Sequence, residues 1–541
     1  MARIPAIRGG KGRRVNTVSL IPRPARMELT GGAFTLQARA SLVCDADFGH
    51  PRSEARALAE TLFAATGARF GTGSGRGKAS PAVRVRRVSR REIPNSEGYH
   101  LDIGERGVQI RASATDGLRR ATQTLVQLLP ARPPAAAGWD GASWTLPALH
   151  IEDAPRFAWR GMHLDTGRHF MPAAFLRRFI DLLALHKFNV FHWHLTEDQG
   201  WRLEIPDFPK LTTIGAWRAE TVIGRPRDDA GYDARPHGGF YTAADVREIV
   251  RYAAARGITV MPEIEMPGHS QAALAAYPEL SCTGGPHEVA RTWGVFKDVF
   301  CAGNENVFDF LETVMEAVLD LFPSRFIHVG GDECPKDRWR ACPKCQARIR
   351  AERLKDEHEL QSWFIRRMER FLRRRGRRLV GWDEILEGGL APGATVMSWR
   401  GEDGGIAAAR QGHDVVMAPN HSVYFDYYQA EPEREPLAIG RFLPLEKVYA
   451  YEPVPAALTA DEARHVLGAQ GQLWTEYMPY PRQVEYMAFP RMCALAEVLW
   501  SPAAARDYGD FRRRLDGHLP RLDRLGVNYR RPEPPAAEAA P

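Results

Sequence analysis

The chain has 541 residues, a length that predicts two folded units rather than one. Hydrophobic residues make up 44% and charged residues 26%, which is ordinary for a globular protein. The formal net charge of +7 comes mostly from scattered arginines, and no aromatic or glycine-rich nucleic-acid motif accompanies them. We therefore expect no nucleic-acid partner. No apolar run reaches the ~18–20 residues of a membrane helix, so no span is expected either.

Both ends of the chain have biased compositions. Segment 1–16 is basic and lacks the apolar core of a signal peptide, and segment 530–541 is rich in Pro, Ala and Glu. We predict that both are disordered, and that a C-terminal helix and tail occupy 511–541. As the sequence stands we expect a cytoplasmic protein, or a periplasmic or secreted one if the true start or an export signal is missing.

Residues 17–153 predict a small α/β domain. Segment 99–113 is typical of two strands joined by a glycine-containing turn, and segment 115–129 of an amphipathic helix. Segment 71–80 resembles a phosphate loop only faintly, because Lys78 is followed by alanine, so we interpret it as a flexible loop. Segment 131–143 is a linker or a long surface loop.

From 154 to 510 short β-like runs alternate with helical periodicity. The eight runs begin at residues 160, 189, 259, 326, 378, 395, 414 and 471. Eight strand–helix units over this length predict an α/β fold, a (β/α)8 TIM barrel, whose active site lies at the carboxyl ends of the strands.

Carboxylates follow nearly every one of these runs. They are Asp165, Glu197, Asp198, Glu263, Glu265, Asp332, Glu333, Asp383, Glu384, Asp426 and Glu476. Structural salt bridges and helix caps would account for about half of such a set. The pair Asp332 and Glu333 is less easily explained that way, since it follows two glycines that allow close approach, and a cap needs only one acid.

Aromatic residues follow three of the runs. Trp382, Trp399 and Trp474 stand at strand ends with Tyr424 and Tyr427 nearby, and they predict an aromatic wall. An aromatic wall with hydrogen-bonding acids suits a sugar ring, which has apolar faces and a hydroxyl rim.

Histidines support an alternative. His192, His194, His269 and His328 allow a metal-dependent amidohydrolase, although the HxH pair follows the second run and the tryptophans would be unexplained. For His192 and His194 we favour packing or the orientation of neighbouring residues, and for His269 a proton network with an acid. A carbohydrate-binding protein without turnover is the third possibility.

The seven cysteines do not suggest a disulfide framework. Cys334, Cys342 and Cys345 are spaced as in a zinc site, but the fourth ligand of a structural zinc is not evident nearby. Reduced thiols, or disulfides if the protein is exported, are the default interpretation. Whether these three cysteines, or Cys282 and Cys301, pair, bind metal or stay reduced is left open.

Taken together the motifs resemble glycoside hydrolase family 20, the β-N-acetylhexosaminidases. HVGGDE at 328–333 matches the family's H-x-G-G-D-E pattern, and seven further motifs follow the same order. They are RGMHLDTGRHF at 160–170, FHWHLTEDQGWR at 191–202, EIEMPGHS at 263–270, GWDE at 381–384, SWRG at 398–401, YFD at 424–426 and LWTE at 473–476. The resemblance runs from about residue 18 to 510.

The resemblance implies roles for the matched residues. Glu333 would be the general acid/base, Asp332 would hold the 2-acetamido N–H, and Tyr424 would donate to the acetamido oxygen. Glu197 and His269 would form a relay that tunes Glu333. The sequence has TED where many relatives have TDD, so either Glu197 or Asp198 could contact His269. The remaining matched positions would bind substrate: Arg168, Asp198, His328, Trp382, Trp399, Asp426, Trp474 and Glu476.

The expected activity is exo-acting, retaining hydrolysis of terminal β-linked GlcNAc or GalNAc through an oxazolinium ion formed by the substrate. The general acid needs a raised pKa, which we expect from an apolar wall and a neighbouring carboxylate. The expected partner is a small carbohydrate, with no metal or organic cofactor. The sequence predicts neither the preferred sugar, the natural glycan nor the oligomeric state.

Overall fold

A computed structural model describes residues 18–45, 51–73, 82–130, 143–227 and 229–533. The predictions for segment 1–16 and for most of 71–80, 131–143 and 530–541 fall outside these residues. Within them, no helix combines the length and apolarity that crossing a membrane requires.

The N-terminal unit is a seven-stranded mixed sheet with two helices. The strands are β1 Arg26–Gln37, β2 Ser41–Cys44, β3 Gly71–Gly73, β4 Val83–Arg87, β5 Tyr99–Gly104, β6 Gly107–Ala112 and β7 Ser143–Asp153. Their order across the sheet is β1-β7-β5-β6-β4-β2-β3. The helices are α1 Pro51–Thr66 and α2 Thr115–Leu128. The predicted hairpin (β5–β6) and helix (α2) are both confirmed.

Residue periodicity explains these elements. Tyr99, Leu101 and Ile103 alternate with half-buried residues along β5, so one face of the strand is apolar. Leu118 and Leu125 lie two turns apart on α2 and are buried against that face. The unit therefore has its own hydrophobic core.

The second unit is a closed barrel of eight parallel strands, which confirms the predicted fold class. The remaining strands are β8 Trp159–Asp165, β9 Val190–His194, β10 Thr196–Glu197, β11 Gly200–Trp201, β12 Trp217–Arg218, β13 His237–Gly238, β14 Thr259–Glu263, β15 Phe326–His328, β16 Arg378–Trp382, β17 Thr395–Ser398, β18 Val415–Met417 and β19 Val466–Gly471. Strands β10–β13 form two short hairpin-like pairs outside the barrel, and β19 closes it against β8.

Helices surround the barrel and extend beyond it. They are α3 Ala173–Leu185, α4 Lys210–Thr213, α5 Ala243–Ala254, α6 Gln271–Ala276, α7 Glu305–Leu321, α8 Asp337–Ala341, α9 Pro343–Glu352, α10 Glu357–Arg374, α11 Asp403–Arg410, α12 Asn420–Val423, α13 Leu445–Ala450, α14 Ala460–Ala463, α15 Pro481–Ala488, α16 Arg491–Trp500 and α17 Tyr508–Arg524.

The predicted eighth strand is wrong in position. The sequence indicated a run beginning at Gly471, whereas β19 ends there. The next residues stay alongside β8, where the Asp165 N–H donates to the Leu473 carbonyl at 3.0 Å. Two glycines weaken the strand pattern of 466–471. Gly468 is required nonetheless, because its φ is +147° and a Cβ would lie 1.9 Å from the Trp159 carbonyl oxygen. The segment that looked like a strand instead carries pocket residues.

A buried ion cluster joins the two units. Glu97, in the loop before β5, lies 2.8 Å from Arg120 Nε and 3.1 Å from Arg160 Nη1. Arg120 also donates to the carbonyls of Phe188 and Gly257, at 3.1 and 2.9 Å, beside β9 and β14. Burial opposes ionisation of Glu97, but the two guanidiniums outweigh it and lower its pKa to about 2.

Replacing Glu97 with Gln should destabilise the protein by about 3 kcal/mol, because two buried guanidiniums lose their counter-charge. Thermal unfolding at neutral pH would show this as a lower midpoint. The stabilisation is complete above the ordinary pKa of 4.5 and is lost as the pH falls towards about 2. The difference between wild type and variant should therefore shrink between pH 5 and 3.

Glu92→Gln is the matched control, because Glu92 pairs with Arg111 at an exposed site and its loss should cost less than about 1 kcal/mol. Equal midpoints for wild type and Glu97→Gln, or a gap that widens in acid, would contradict the assignment.

Candidate active site

One fully buried carboxylate, Glu263 at the end of β14, occupies the upper interior of the barrel. Its Oε2 lies 2.5 Å from His194 Nδ1 and 3.0 Å from His192 Nε2. Its Oε1 lies 2.7 Å from His328 Nδ1 and accepts the Trp382 indole N–H at 2.9 Å. Four side chains from β9, β15 and β16 are therefore oriented by a single acid.

The charges in this cluster are unequal. Burial favours the neutral form of Glu263, but His328, His194 and His192 outweigh it and hold its pKa well below the usual value. Glu263 and Glu197 likewise overcome burial at His194 and raise its pKa to about 10. Burial lowers the pKa of His192 to about 4. The barrel interior thus contains an imidazolium–carboxylate pair at neutral pH.

These residues also resemble metal ligands. His163, His194 and Glu263 form one group with suitable spacing, and His192, Glu263 and His328 form another. The contacts already described occupy the nitrogens of His192 and His194 that face Glu263. The packing role predicted for these two histidines accounts for their geometry.

The turn after β15 presents the two adjacent acids. Gly330 and Gly331 have φ values of +66° and +95°, and a Cβ on Gly330 would lie 1.8 Å from Glu265 Oε2. The close approach that the double glycine allows is therefore that of the Glu265 carboxylate. Glu333 has a φ of +43°, a left-handed conformation that costs about 1 kcal/mol or more in a residue with a side chain.

His269 connects the two acids to a second pair of carboxylates. Its Nε2 lies 3.6 Å from Asp332 Oδ2 and 3.5 Å from Glu333 Oε2. Its Nδ1 lies 2.9 Å from Asp198 Oδ2 and 3.2 Å from Glu197 Oε2. Both candidates for the partner of His269 therefore contact it, and the shorter contact belongs to Asp198.

Glu197 is shared with Arg168. Arg168 Nη2 lies 2.6 Å from Glu197 Oε1 and its Nη1 lies 3.5 Å from Asp165 Oδ2. The guanidinium carbon lies 4.9 Å from the ring centroid of Trp474, within the range of a cation–π contact. The acids on β8 and β10 thus hold Arg168 at the pocket.

A pocket of about 540 Å³ opens at this end of the barrel, within the size range of small-ligand sites. Trp382 and Trp474 lie 5.7 Å apart between ring centroids, and Trp399 stacks with Tyr424 at 6.2 Å. The aromatic wall predicted from the strand ends is therefore present. The lining residues are Arg168, Arg225, Pro226, Trp293, Gly294, Val295, Asp332, Glu333, Trp382, Trp399, Tyr424, Asp426, Tyr427, Ile439, Trp474, Glu476 and Tyr477.

Several buried polar atoms of lining residues hydrogen-bond to no protein group. They are Arg168 Nε, Asp332 Oδ1, Asp426 Oδ1 and Glu476 Oε2. Burial, reinforced by Glu476, raises the pKa of Asp426 well above its usual value, and burial raises that of Glu476. A raised pKa favours the protonated form, which can both donate and accept hydrogen bonds. A ligand rich in hydroxyl groups would satisfy them.

The two adjacent acids differ in proton affinity, and not as the sequence suggested. We expected a raised pKa for Glu333, but a hydrogen bond from His269 lowers it, and the side chain is 43% exposed. Burial, reinforced by the charges of Glu263 and Glu333, raises the pKa of Asp332 to about 7 despite the attraction of His269. In the structure Asp332 therefore holds a proton more readily than Glu333 does.

The structure brings most of the expected residues together. Nine of them line the pocket: Arg168, Asp332, Glu333, Trp382, Trp399, Tyr424, Asp426, Trp474 and Glu476. Glu197 and His269 lie directly behind it, as described above. Asp198 and His328, which the resemblance implies as substrate-binding residues, are buried and do not line the pocket. Asp198 contacts His269 and the Gln271 backbone N–H, and His328 contacts Glu263.

Other lining residues escaped the sequence analysis. Trp293 and Val295 come from the segment between Cys282 and Cys301, whose long loop was the available signal. Arg225 donates to the Ile439 carbonyl at 2.7 Å and lies 5.7 Å from the ring centroid of Tyr477. No local pattern marks Arg225, since a contact between loops distant in sequence brings it to the pocket.

Replacing Glu263 with Gln should destabilise the protein by about 3–5 kcal/mol, because the His194 imidazolium loses its buried partner. We expect a lower thermal midpoint and a changed near-UV circular dichroism, since the Trp382 indole N–H exchanges a charged acceptor for a neutral amide. Glu316→Gln on the exposed face of α7 is the control and should stay within about 1 kcal/mol of wild type. Unfolding of Glu263→Gln at the wild-type midpoint would contradict the structural role.

Comparison with known proteins supplies a family. Residues 157–503 match the model of the glycosyl hydrolase family 20 catalytic domain, and residues 17–154 match that of the family 20 domain 2. A β-hexosaminidase of Porphyromonas gingivalis is 46% identical over 96% of this chain, and the chain spans 65% of that relative's length. A β-N-acetylhexosaminidase of Cellulomonas fimi is 34% identical, with 95% of this chain and 96% of the relative covered.

A solved structure agrees with these matches. The exo-β-N-acetylglucosaminidase of Vibrio harveyi, crystallised with N-acetylglucosamine, superposes with a TM-score of 0.83 at 34% identity. The comparison covers 95% of this chain and 78% of the Vibrio chain, so it includes the sheet unit and the barrel.

Proposed function

The chain belongs to glycosyl hydrolase family 20, and on that premise we propose that it is an exo-acting, retaining β-N-acetylhexosaminidase. It would release terminal β-linked GlcNAc or GalNAc from oligosaccharides or glycoconjugates. The names of the relatives support the substrate class, and the pocket supports it independently through its aromatic wall and unpartnered polar atoms.

The observation that carries the proposal is the position of the two adjacent acids. Asp332 and Glu333 both approach the same His269 nitrogen, at 3.6 and 3.5 Å, so they lie on one side of the pocket. Two protein carboxylates that act as acid and nucleophile must instead flank the scissile bond. This arrangement supports a mechanism in which the nucleophile belongs to the substrate.

In the proposed first step the 2-acetamido oxygen attacks the anomeric carbon. The glycosidic C–O bond breaks, Glu333 gives its proton to the leaving oxygen, and a bicyclic oxazolinium ion forms. Asp332 accepts a hydrogen bond from the acetamido N–H and stabilises the developing positive charge. Trp382, Trp399 and Trp474 would enclose the acetamido group, and Tyr424 would donate to its oxygen.

In the second step water attacks the anomeric carbon from the face that the leaving group vacated. Glu333, now a carboxylate, removes a proton from that water, the oxazolinium ring opens, and the β configuration is restored. The partial exposure of Glu333 and its contact with the pocket suit both tasks.

Proton placement must change when substrate binds. Glu333 has a lowered pKa in the open pocket, whereas Asp332 has one of about 7. A bound sugar excludes water around Glu333, which favours its protonated form, and the N–H donor favours ionised Asp332. Substrate binding would therefore make Glu333, rather than Asp332, the acid that holds a proton more readily. His269 contacts both acids.

The other lining acids would recognise hydroxyl groups. Arg168 would contact the 3- and 4-hydroxyls, and Asp426 and Glu476 the 4- and 6-hydroxyls. Burial keeps the pKa of both acids raised, and a protonated carboxyl group is a poor nucleophile. Their environment therefore supports a binding role.

Replacing Glu333 with Gln should lower kcat/KM for a GlcNAc disaccharide by 10²–10⁴-fold, the usual contribution of a general acid. The loss should be smaller for p-nitrophenyl GlcNAc, whose leaving group needs less protonation. Initial rates on both substrates test this difference. Glu387→Gln is the control, since Glu387 pairs with Arg400 at 2.8 Å outside the aromatic pocket. A wild type inert on aryl GlcNAc and GalNAc would contradict the proposed activity.

Replacing Asp332 with Asn should weaken binding of a GlcNAc thiazoline by about 10²–10³-fold and lower turnover similarly, because both depend on the charge beside the acetamido group. Calorimetric titration measures the affinity. Asp337→Asn on α8 is the control, at an exposed position outside the pocket. Unchanged thiazoline affinity would count against the role of Asp332, and a trapped glycosyl ester on Asp426 or Glu476 would exclude substrate assistance.

A further inference from the structure

Four of the seven cysteines meet beside the active site, although they come from two distant segments. Cys282 and Cys301 stand at the two ends of one loop. Cys342 and Cys345 come later in the sequence, after Asp332 and Glu333. The sulfur–sulfur distances are 3.8 Å for Cys282–Cys345, 3.7 Å for Cys301–Cys342 and 3.6 Å for Cys301–Cys345. Possible ligand atoms of all four lie within 4.8 Å of one another.

These distances fit a metal site better than disulfides. A disulfide needs sulfurs about 2.05 Å apart. Four thiolates at about 2.3 Å from a tetrahedral zinc ion are separated by about 3.8 Å along each edge of the tetrahedron. We propose that Cys282, Cys301, Cys342 and Cys345 bind one Zn²⁺ ion as a structural tetrathiolate site.

Two of the ligands, Cys342 and Cys345, lie at the N-terminus of α9. Cys342 immediately precedes α9 and Cys345 lies in its first turn, in the sequence Cys-Pro-Lys-Cys. Pro343 occupies the first helical position, where its missing N–H is tolerated. The positive end of the helix dipole and the free N–H groups of the first turn stabilise thiolates at this position.

The other two ligands are held together by the base of their loop. Ser281 and Phe300 form an antiparallel bridge, so Cys282 and Cys301 emerge side by side. The Cys301 N–H donates to the Leu280 carbonyl at 2.9 Å. The loop ends are therefore fixed before any metal binds.

A glycine brings the two halves into contact. A Cβ on Gly303 would lie 2.2 Å from the carbonyl carbon of Lys344 and 2.4 Å from the Cys345 nitrogen. Any side chain at this position would push α9 away from the loop. Gly303 thus permits the backbone approach that the cluster requires.

The site is closed, as structural zinc sites are. Cys301, Cys342 and Cys345 are buried and Cys282 is partly buried, so all four coordination positions would be filled by protein. The sequence had suggested Cys334 as a ligand, but its sulfur lies 3.9 Å from the Pro335 carbonyl and outside the cluster. No complete ligand set is evident near Cys342 and Cys345 in the sequence, because the distant loop between Cys282 and Cys301 supplies the other two ligands.

The cluster lies at the base of a loop that lines the pocket and that contacts the segment before His269. Trp293 and Val295 in the loop between Cys282 and Cys301 line the pocket. At the base of the loop, the Phe300 N–H donates to the Pro267 carbonyl at 3.0 Å, two residues before His269. The Trp339 indole, on α8, donates to the Phe300 carbonyl at 2.9 Å. A zinc ion would fix this wall without entering the chemistry.

Metal analysis of the purified full-length chain tests the proposal. We expect one zinc per chain, lost in Cys301→Ser and Cys345→Ser and retained in Cys44→Ser, whose sulfur lies in β2 of the sheet unit. Refilling the chelator-treated, reduced protein with Co²⁺ should give the intense visible bands of a tetrahedral cobalt thiolate in wild type but not in Cys345→Ser.

Thiol counting keeps the test decisive even if the cluster variants fail to fold. Wild-type protein denatured in chelator without reductant should alkylate at all seven cysteines. Three or five alkylated cysteines would reveal disulfides and overturn the proposal. Seven alkylated cysteines without bound metal, iron in place of zinc, or zinc retained in Cys301→Ser would overturn it as well.

Discussion

The ionised carboxylate of Glu263, buried inside the barrel, is the constraint on which the site depends. A charge in that position is tolerated only because the His194 imidazolium pairs with it and neighbouring N–H groups bind its oxygens. In satisfying this one group, the protein fixes His192, His328 and Trp382 in single orientations. The floor of the pocket is rigid for an electrostatic reason as much as for a packing one.

Negative and positive side chains alternate outwards from Glu263. Glu263 pairs with His194, His194 approaches Glu197 at 3.5 Å, and Glu197 contacts both Arg168 and His269. His269 in turn contacts Asp332 and Glu333. The pKa values of Asp332 and Glu333 are therefore set by a connected series of charges that begins in the barrel interior, not by their immediate neighbours alone.

The features that depend on residues close together in the sequence could be predicted from it. Short apolar runs ending in acids and tryptophans located seven of the eight barrel strands and nine of the residues that line the pocket. The eighth strand was misplaced because glycines required by close packing weaken its pattern. His328 and Asp198 follow predicted strands but do not line the pocket, because neighbouring strands decide which side of a strand end faces it. The four-cysteine cluster was invisible because its halves meet only after folding.

The left-handed backbone of Glu333 has a consequence for how such a protein changes over time. A residue with a side chain costs stability when it is held at a φ of +43°, whatever the side chain does. Substitution by Gly or Asn would relieve that strain while abolishing a proton donor. A related protein that no longer needed turnover would therefore become more stable by losing this carboxylate. The two glycines before the position would still show its relationship to the family.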